Sequence, residues 1–132
     1  MEGWGIQEYL LEQRKDDETI EVKTTGLNLH TEFEGLCCSL DGKVFSNKRS
    51  PRTLEIKCPY TLRNHDPNRM DEILTKKQLY KFCLRKDCNG EIFLKPEHDY
   101  YYQVQMGMGM VGYSECDLFE WSTQYQSLTT KT

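Results

Sequence analysis

The sequence predicts a mixed α/β or α+β domain, and three observations carry that expectation. An amphipathic stretch opens the chain. Period-two alternation dominates its middle, most clearly in Thr53-Leu54-Glu55-Ile56-Lys57-Cys58. A long helical segment closed by Gly112 then leads into a last alternating run, Glu115–Trp121. At 132 residues the chain is the size of one domain, enough to bury roughly two thirds of its unfolded surface.

Taken in order, residues 4–16 read as a helix, with Trp4, Tyr9 and Leu10 near one face and Glu8, Glu12, Arg14 and Lys15 towards solvent. From Thr19 to His30 the chain alternates as extended structure, Ile20 and Val22 sharing a face before Gly26. A strand pair is expected at Leu36–Leu40 and Lys43–Ser46, turning on Asp41-Gly42. The strand 53–58 ends at Pro59, which has no N–H for a ladder. A helix is expected over 67–79, with Asn64, Asp66 and Asn68 as candidate caps. A hairpin follows, Tyr80–Leu84 with Glu91–Leu94, turning on Asn89-Gly90. Pro96 starts the helix that runs to Val111, and Gly112 supplies its C-terminal stop. In the last strand Cys116, Leu118 and Glu120 face away from Asp117, Phe119 and Trp121, and residues beyond Gln124 are expected to fray. The reading yields a single unit over 1–132 with neither repeat nor linker.

Composition narrows the class. Aromatic residues make up 11% of the chain, which argues against disorder. No apolar run approaches the ~20 residues of a membrane span, so an intracellular protein is expected, in the cytoplasm or nucleus of its host and without a membrane partner. The net charge of −4 argues against gripping nucleic acid through bulk positive charge, but residues 43–86 are rich in lysine and arginine. That basic stretch can serve phosphate contacts or be an ordinary solvated surface. Six cysteines (Cys37, Cys38, Cys58, Cys83, Cys88, Cys116) without a secretion signal read as reduced thiols. Cys83 and Cys88, with His65 or His98, offer a zinc alternative, weakened by the lack of a second knuckle at zinc-ribbon spacing.

The chemistry concentrates in the central strand. Residues two apart share a face, so Glu55 and Lys57 project together while Leu54 and Ile56 occupy the other side. Phosphodiester hydrolysis needs a cation to neutralise phosphate and acidify a water, and magnesium takes one or two protein carboxylates. Glu55 supplies one and Asp41, upstream, can supply the other. The backbone carbonyl of Ile56 would complete the protein ligands, with Lys57 beside the attacking water. On spacing alone, Glu-x-Lys is more often an inert surface ion pair.

A wider pattern surrounds that strand. Leu54-Glu55-Ile56-Lys57-Cys58-Pro59-Tyr60 resembles the central motif of YqaJ-like viral recombinases and phage-lambda-type exonucleases, of the PD-(D/E)XK nuclease superfamily. Cys38-Ser39-Leu40-Asp41-Gly42 resembles the Ser-Pro-Asp-Gly element of that family, with Leu40 in place of proline. His98 to Gln105 is similar to the helix after the catalytic strand, and Cys116 to Ser122 to the final core strand. The resemblance implies a restriction-endonuclease-like core, a central mixed β-sheet flanked by helices. It implies a Mg2+- or Mn2+-dependent exonuclease on double-stranded DNA ends, working 5′ to 3′ in viral-type recombination. Asp41 and Glu55 would bind the metal and Lys57 would assist the water. Gln103 would place the phosphate in preference to Gln105, which sits about 200° away around a helix. Glu8 is the candidate for a further metal-binding glutamate from the first helix, in an N-terminal part expected to be shortened. A single-strand-annealing recombinase and a homo-oligomer are the implied partners. The alternative is a catalytically impaired DNA-binding or assembly module of the same fold. Two departures stand out: Leu40, and Gly107 where the family carries a glutamine.

Overall fold

The computed structural model describes residues 2–24, 26–29, 32, 37–57, 69–122 and 125–131. Its elements run α1 (Glu2–Gln13), β1 (Glu21–Lys23), β2 (Leu27–Leu29), β3 (Cys37–Ser39), β4 (Gly42–Phe45), β5 (Arg52–Lys57), α2 (Met70–Ile73), α3 (Lys76–Lys81), β6 (Leu84–Lys86), β7 (Ile92–Leu94), α4 (Asp99–Val111), β8 (Cys116–Ser122) and β9 (Tyr125–Lys131). Five strands form one mixed sheet in the order β1-β4-β5-β8-β9. Among the described strands only β5 and β8 run parallel, and a crossover through α2, α3, the β6–β7 hairpin and α4 joins them.

The alternation of β5 divides the core in two. Leu54 and Ile56 face α1, where they pack with Tyr9, Ile20, Val44 and Phe119. On the opposite side Cys116 and Leu118 of β8 pack under α4 against Val104 and Met108, and beyond them against Met70, Leu74, Leu84 and Leu94. Glu55 pairs in register with Leu118 and Lys57 with Glu120, so these four share the α4 side. The expected segregation of Leu54 and Ile56 from Glu55 and Lys57 is therefore the arrangement found.

Several elements differ from expectation. Leu36–Leu40 and Lys43–Ser46 do not form a hairpin: β3 pairs with β2, whereas β4 pairs with β1 and β5. Gly42 serves close approach instead of a turn, since a Cβ there would stand 2.8 Å from Val22 Cγ1 and 3.6 Å from Leu54 Cδ2. The helix expected over 67–79 is interrupted after Ile73. Thr75 caps α3 through a reciprocal box, its side chain accepting from Gln78 N at 3.2 Å and Gln78 Oε1 accepting from Thr75 N at 2.9 Å. The chain after Gln124 does not fray but adds β9, antiparallel to β8. The expected caps Asn64, Asp66 and Asn68, together with Cys58, Pro59, Tyr60 and His65, lie outside the described residues. Among the described residues no helix is long and apolar enough to cross a membrane.

Candidate active site

Asp41 stands just before β4, and its Oδ2 accepts a hydrogen bond of 2.7 Å from the backbone N–H of Ile56. That bond ties the carboxylate to the strand position between Glu55 and Lys57. A short polar side chain suits the task, because Gly42 next to it lets β4 lie close on β5. An ionised carboxylate holding one N–H keeps acceptor capacity on its other oxygen. Glu55 is 9% exposed, sunk in the α4 side of the sheet. Lys57 is half-buried, its ammonium 4.2 Å from the centre of the Tyr100 ring in the first turn of α4. Asp41, Glu55, Ile56 and Lys57 are thus brought to one end of the central strand.

Helix α4 covers this end. His98 caps it, Nδ1 accepting from Tyr100 N at 3.1 Å, and Gly112 closes it. Tyr100 meets Lys57, and Gly107 meets Leu40, where an added Cβ would lie 2.8 Å from Cδ2. Gln103 lies between these two on the same side of the helix, three residues from one and four from the other, and is exposed. Gln105 is also exposed but is turned about 200° from Gln103. A glycine inside a helix costs about 1 kcal/mol against alanine, and at 107 it makes room for the leucine that precedes Asp41. The two departures, Leu40 and Gly107, are one contact.

Glu8 is exposed on α1, which packs on the opposite face of the sheet from Glu55 and Lys57. Among the described residues no three His, Cys, Asp or Glu side chains form a ready-made metal cage. Asp41 and Glu55 with a backbone carbonyl are a sparse, hard-oxygen set. That chemistry fits magnesium, which keeps several waters and takes the rest of its shell from phosphate. The zinc alternative fares worse. Cys83 is buried and donates its thiol to Glu120 Oε1 at 3.0 Å, Cys88 is exposed, and His98 is engaged as the cap. Burial, and then the charge of Glu120, push the Cys83 thiol well up, against the thiolate zinc requires.

The structure also holds charges that sequence reasoning passed over. Arg52 is fully buried and donates to Asp117 Oδ2 at 2.8 Å, and Tyr9 donates to the same oxygen. Burial, then the Asp117 charge, drive the Tyr9 phenol up. On the other side Glu120 is fully buried. Burial pushes its carboxyl up to about 7, against the lowering effects of the Cys83 hydrogen bond and the Lys57 charge. The available signal was two acids, Asp117 and Glu120, on opposite faces of an otherwise apolar strand. Part of the basic stretch is paired with neighbouring acids: Arg49 with Glu115, Arg69 with Glu72, Arg85 with Glu97 and Lys86 with Asp71.

Comparison with known proteins fits this architecture. The fold is similar to that of an alkaline exonuclease (LHK-Exo) from Laribacter hongkongensis, with a TM-score of 0.62 and 23% identity over 98% of this chain and 53% of that one. The same enzyme in complex with dAMP gives a TM-score of 0.63 and 23% identity, over 99% and 53%. The chain therefore spans about half the length of these relatives, and the likeness establishes a restriction-endonuclease-like fold. No curated protein matches the sequence. Residues 1–114 match the YqaJ-like viral recombinase domain, and the chain belongs to that family.

Proposed function

We propose that this chain is the nuclease core of a metal-dependent exonuclease that shortens one strand of duplex DNA from an end, 5′ to 3′, in viral-type recombination. The observation that carries the reading is the Asp41 carboxylate fixed on the Ile56 amide, which sets two acids and an amine around one strand end. Family membership and the likeness to an alkaline exonuclease support the same chemistry.

Asp41 and Glu55, with the Ile56 carbonyl, would hold Mg2+ or Mn2+, which supplies charge neutralisation and an acidified water when bound. Lys57, steadied by Tyr100, offers its ammonium to the negative charge that grows on the phosphate during attack. Gln103 offers an exposed amide on the adjoining helix side to place the phosphate or the water. Glu8, on the far side of the sheet, is the most peripheral of the candidate ligands. Duplex ends, an annealing recombinase and further copies of this chain are the proposed partners.

A second reading is a DNA-binding or assembly module of the same fold without cleavage. Digestion of linear against circular duplex in magnesium separates the readings. The proposal expects loss of linear DNA alone. Cleavage of both forms would make the protein an endonuclease, and salt-sensitive binding without cleavage would favour the second reading.

A further inference from the structure

Glu120 is a buried charge that closes no ion pair among the described residues. It is 0% exposed in an otherwise apolar layer of Cys116, Leu118, Val104 and Met108. Its Oε1 accepts the Cys83 thiol at 3.0 Å, whereas Oε2 has no partner among the described residues. A glutamine would accept that thiol equally well without a charge to bury, so Cys83 does not account for a carboxylate here.

The register supplies the reason. Glu120 is the ladder partner of Lys57 on the adjacent parallel strand, and both side chains stand on the α4 side. Among the described residues Lys57 closes no ion pair within 4.0 Å, and its ammonium rests on the Tyr100 ring. Among the described residues, other titratable groups on this side include Glu55 further along β5, the Cys83 and Cys116 thiols and the Tyr100 phenol. Lys57 is the cation whose strand position lies directly beside Glu120, and its charge opposes the burial that raises the carboxyl.

We propose that Glu120 is a positioning residue for Lys57: a buried carboxylate, braced from behind by the Cys83 thiol, that draws the ammonium along the sheet and keeps it beside Glu55. The proposal rests on the nuclease reading for its purpose, but not for its geometry. Tyr100 bounds the ammonium from the helix side and Glu120 from within the sheet, so Lys57 is held by two elements. The carboxylate does not touch substrate and acts only through the lysine.

Two measurements on the full chain test it. Carboxyl 13C NMR of the metal-free protein follows the Glu120 titration in wild type and in Lys57→Met. Removing the partner should raise the Glu120 midpoint by about one pH unit, a tenfold change in its ionisation constant. An unchanged midpoint would overturn the proposal whether or not the protein cleaves DNA. The second is a kinetic cycle on linear duplex with Glu120→Gln, Lys57→Arg and the double variant. Glu120→Gln should lower kcat about tenfold or more with KM nearly unchanged, and should add little once Lys57 is replaced. Fully additive losses would overturn it. If wild type proves inert, the nuclease reading falls and the NMR comparison alone decides the pairing.

Discussion

The two faces of the central strands carry buried charge in opposite ways. On the α1 face Arg52 and Asp117 are both fully buried and pair directly at 2.8 Å, with the Tyr9 phenol closing the third side. On the α4 face, among the described residues, the half-buried Lys57 stands over a tyrosine ring without an ion pair and the fully buried Glu120 has no cation on either oxygen, while Glu55 is nearly buried at the same strand end. The first arrangement is closed as an ion pair: cation and anion meet directly and Tyr9 ties α1 to the sheet, although Arg52 Nη1 and Nη2 and Asp117 Oδ1 have no hydrogen-bond partner among the described residues. The second is open in that Lys57 and Glu120, on the same side of adjacent strands, form no direct ion pair among the described residues. A buried charge kept from full neutralisation costs stability, and such sites collect where chemistry is done. One sheet thus separates a structural ion pair from the candidate catalytic residues, simply because side chains alternate along a strand.

The sharpest way to break this contrast is to delete acids at the open site. Asp41→Asn and Glu55→Gln should each reduce digestion of linear duplex by about a thousandfold or more, equivalent to ~4 kcal/mol of barrier. Thermal unfolding should remain cooperative in both. Initial rates beside melting curves give the answer, and retained digestion in either variant removes that residue from the site.

The closed pair should answer in stability. Asp117→Ala or Arg52→Ala leaves an uncompensated buried charge and should cost about 3–5 kcal/mol in urea unfolding. Replacing both members with apolar residues of similar size should cost much less. Equal losses for single and double variants would mean the pair is not the self-contained unit described here.

Glu120 gives the open face a pH signature. Its folded carboxyl lies at about 7 against an ordinary 4.5, so the unfolded chain loses its proton first as pH rises. Its contribution to stability is therefore complete below pH 4.5, falls as pH rises towards about 7, and stays lost above that. The wild-type decline attributable to this group is on the order of 3 kcal/mol. Unfolding of Glu120→Gln across that window should be flatter than wild type by that amount. Parallel curves would contradict the placement of the carboxyl.

The smallest effect is expected at the Leu40–Gly107 contact. Gly107→Ala improves helix propensity by about 1 kcal/mol and pushes its methyl against a side-chain tip, so stability should change by less than about 1 kcal/mol. Leu40 adjoins Asp41, so cleavage should fall by more than stability does. Unchanged cleavage would show that Asp41 is held by the Ile56 amide alone.

What the sequence made legible follows from which forces act locally. The two faces of β5 were readable because alternation is fixed by the backbone, and α4 because its helical pattern and terminal glycine agree. The partners of β3 and β4 were not readable. Asp41-Gly42 has the composition of a turn, and only the approach of Val22 and Leu54 shows that the glycine serves packing. The strand β9 was missed because its polar residues carry no amphipathic signal, whereas β8 offers it an edge to pair with. The break before α3 was missed because Thr75 and Gln78 form a cap inside a run that otherwise favours helix. Asp41, Glu55 and Lys57 were nominated by type and spacing together with the family resemblance of the segments around them, and the Ile56 amide adds a reason for the aspartate to sit where it does. Glu120 was read as a face assignment only, since its partner comes from a strand separated from it by a long crossover.

The central claim is that Asp41 and Glu55 share one divalent ion. Calorimetric titration of Mn2+ into wild type, Asp41→Asn and Glu55→Gln tests it without reference to cleavage. The account predicts one saturable site in wild type that is lost in both variants. Undiminished Mn2+ affinity in either folded variant would contradict it.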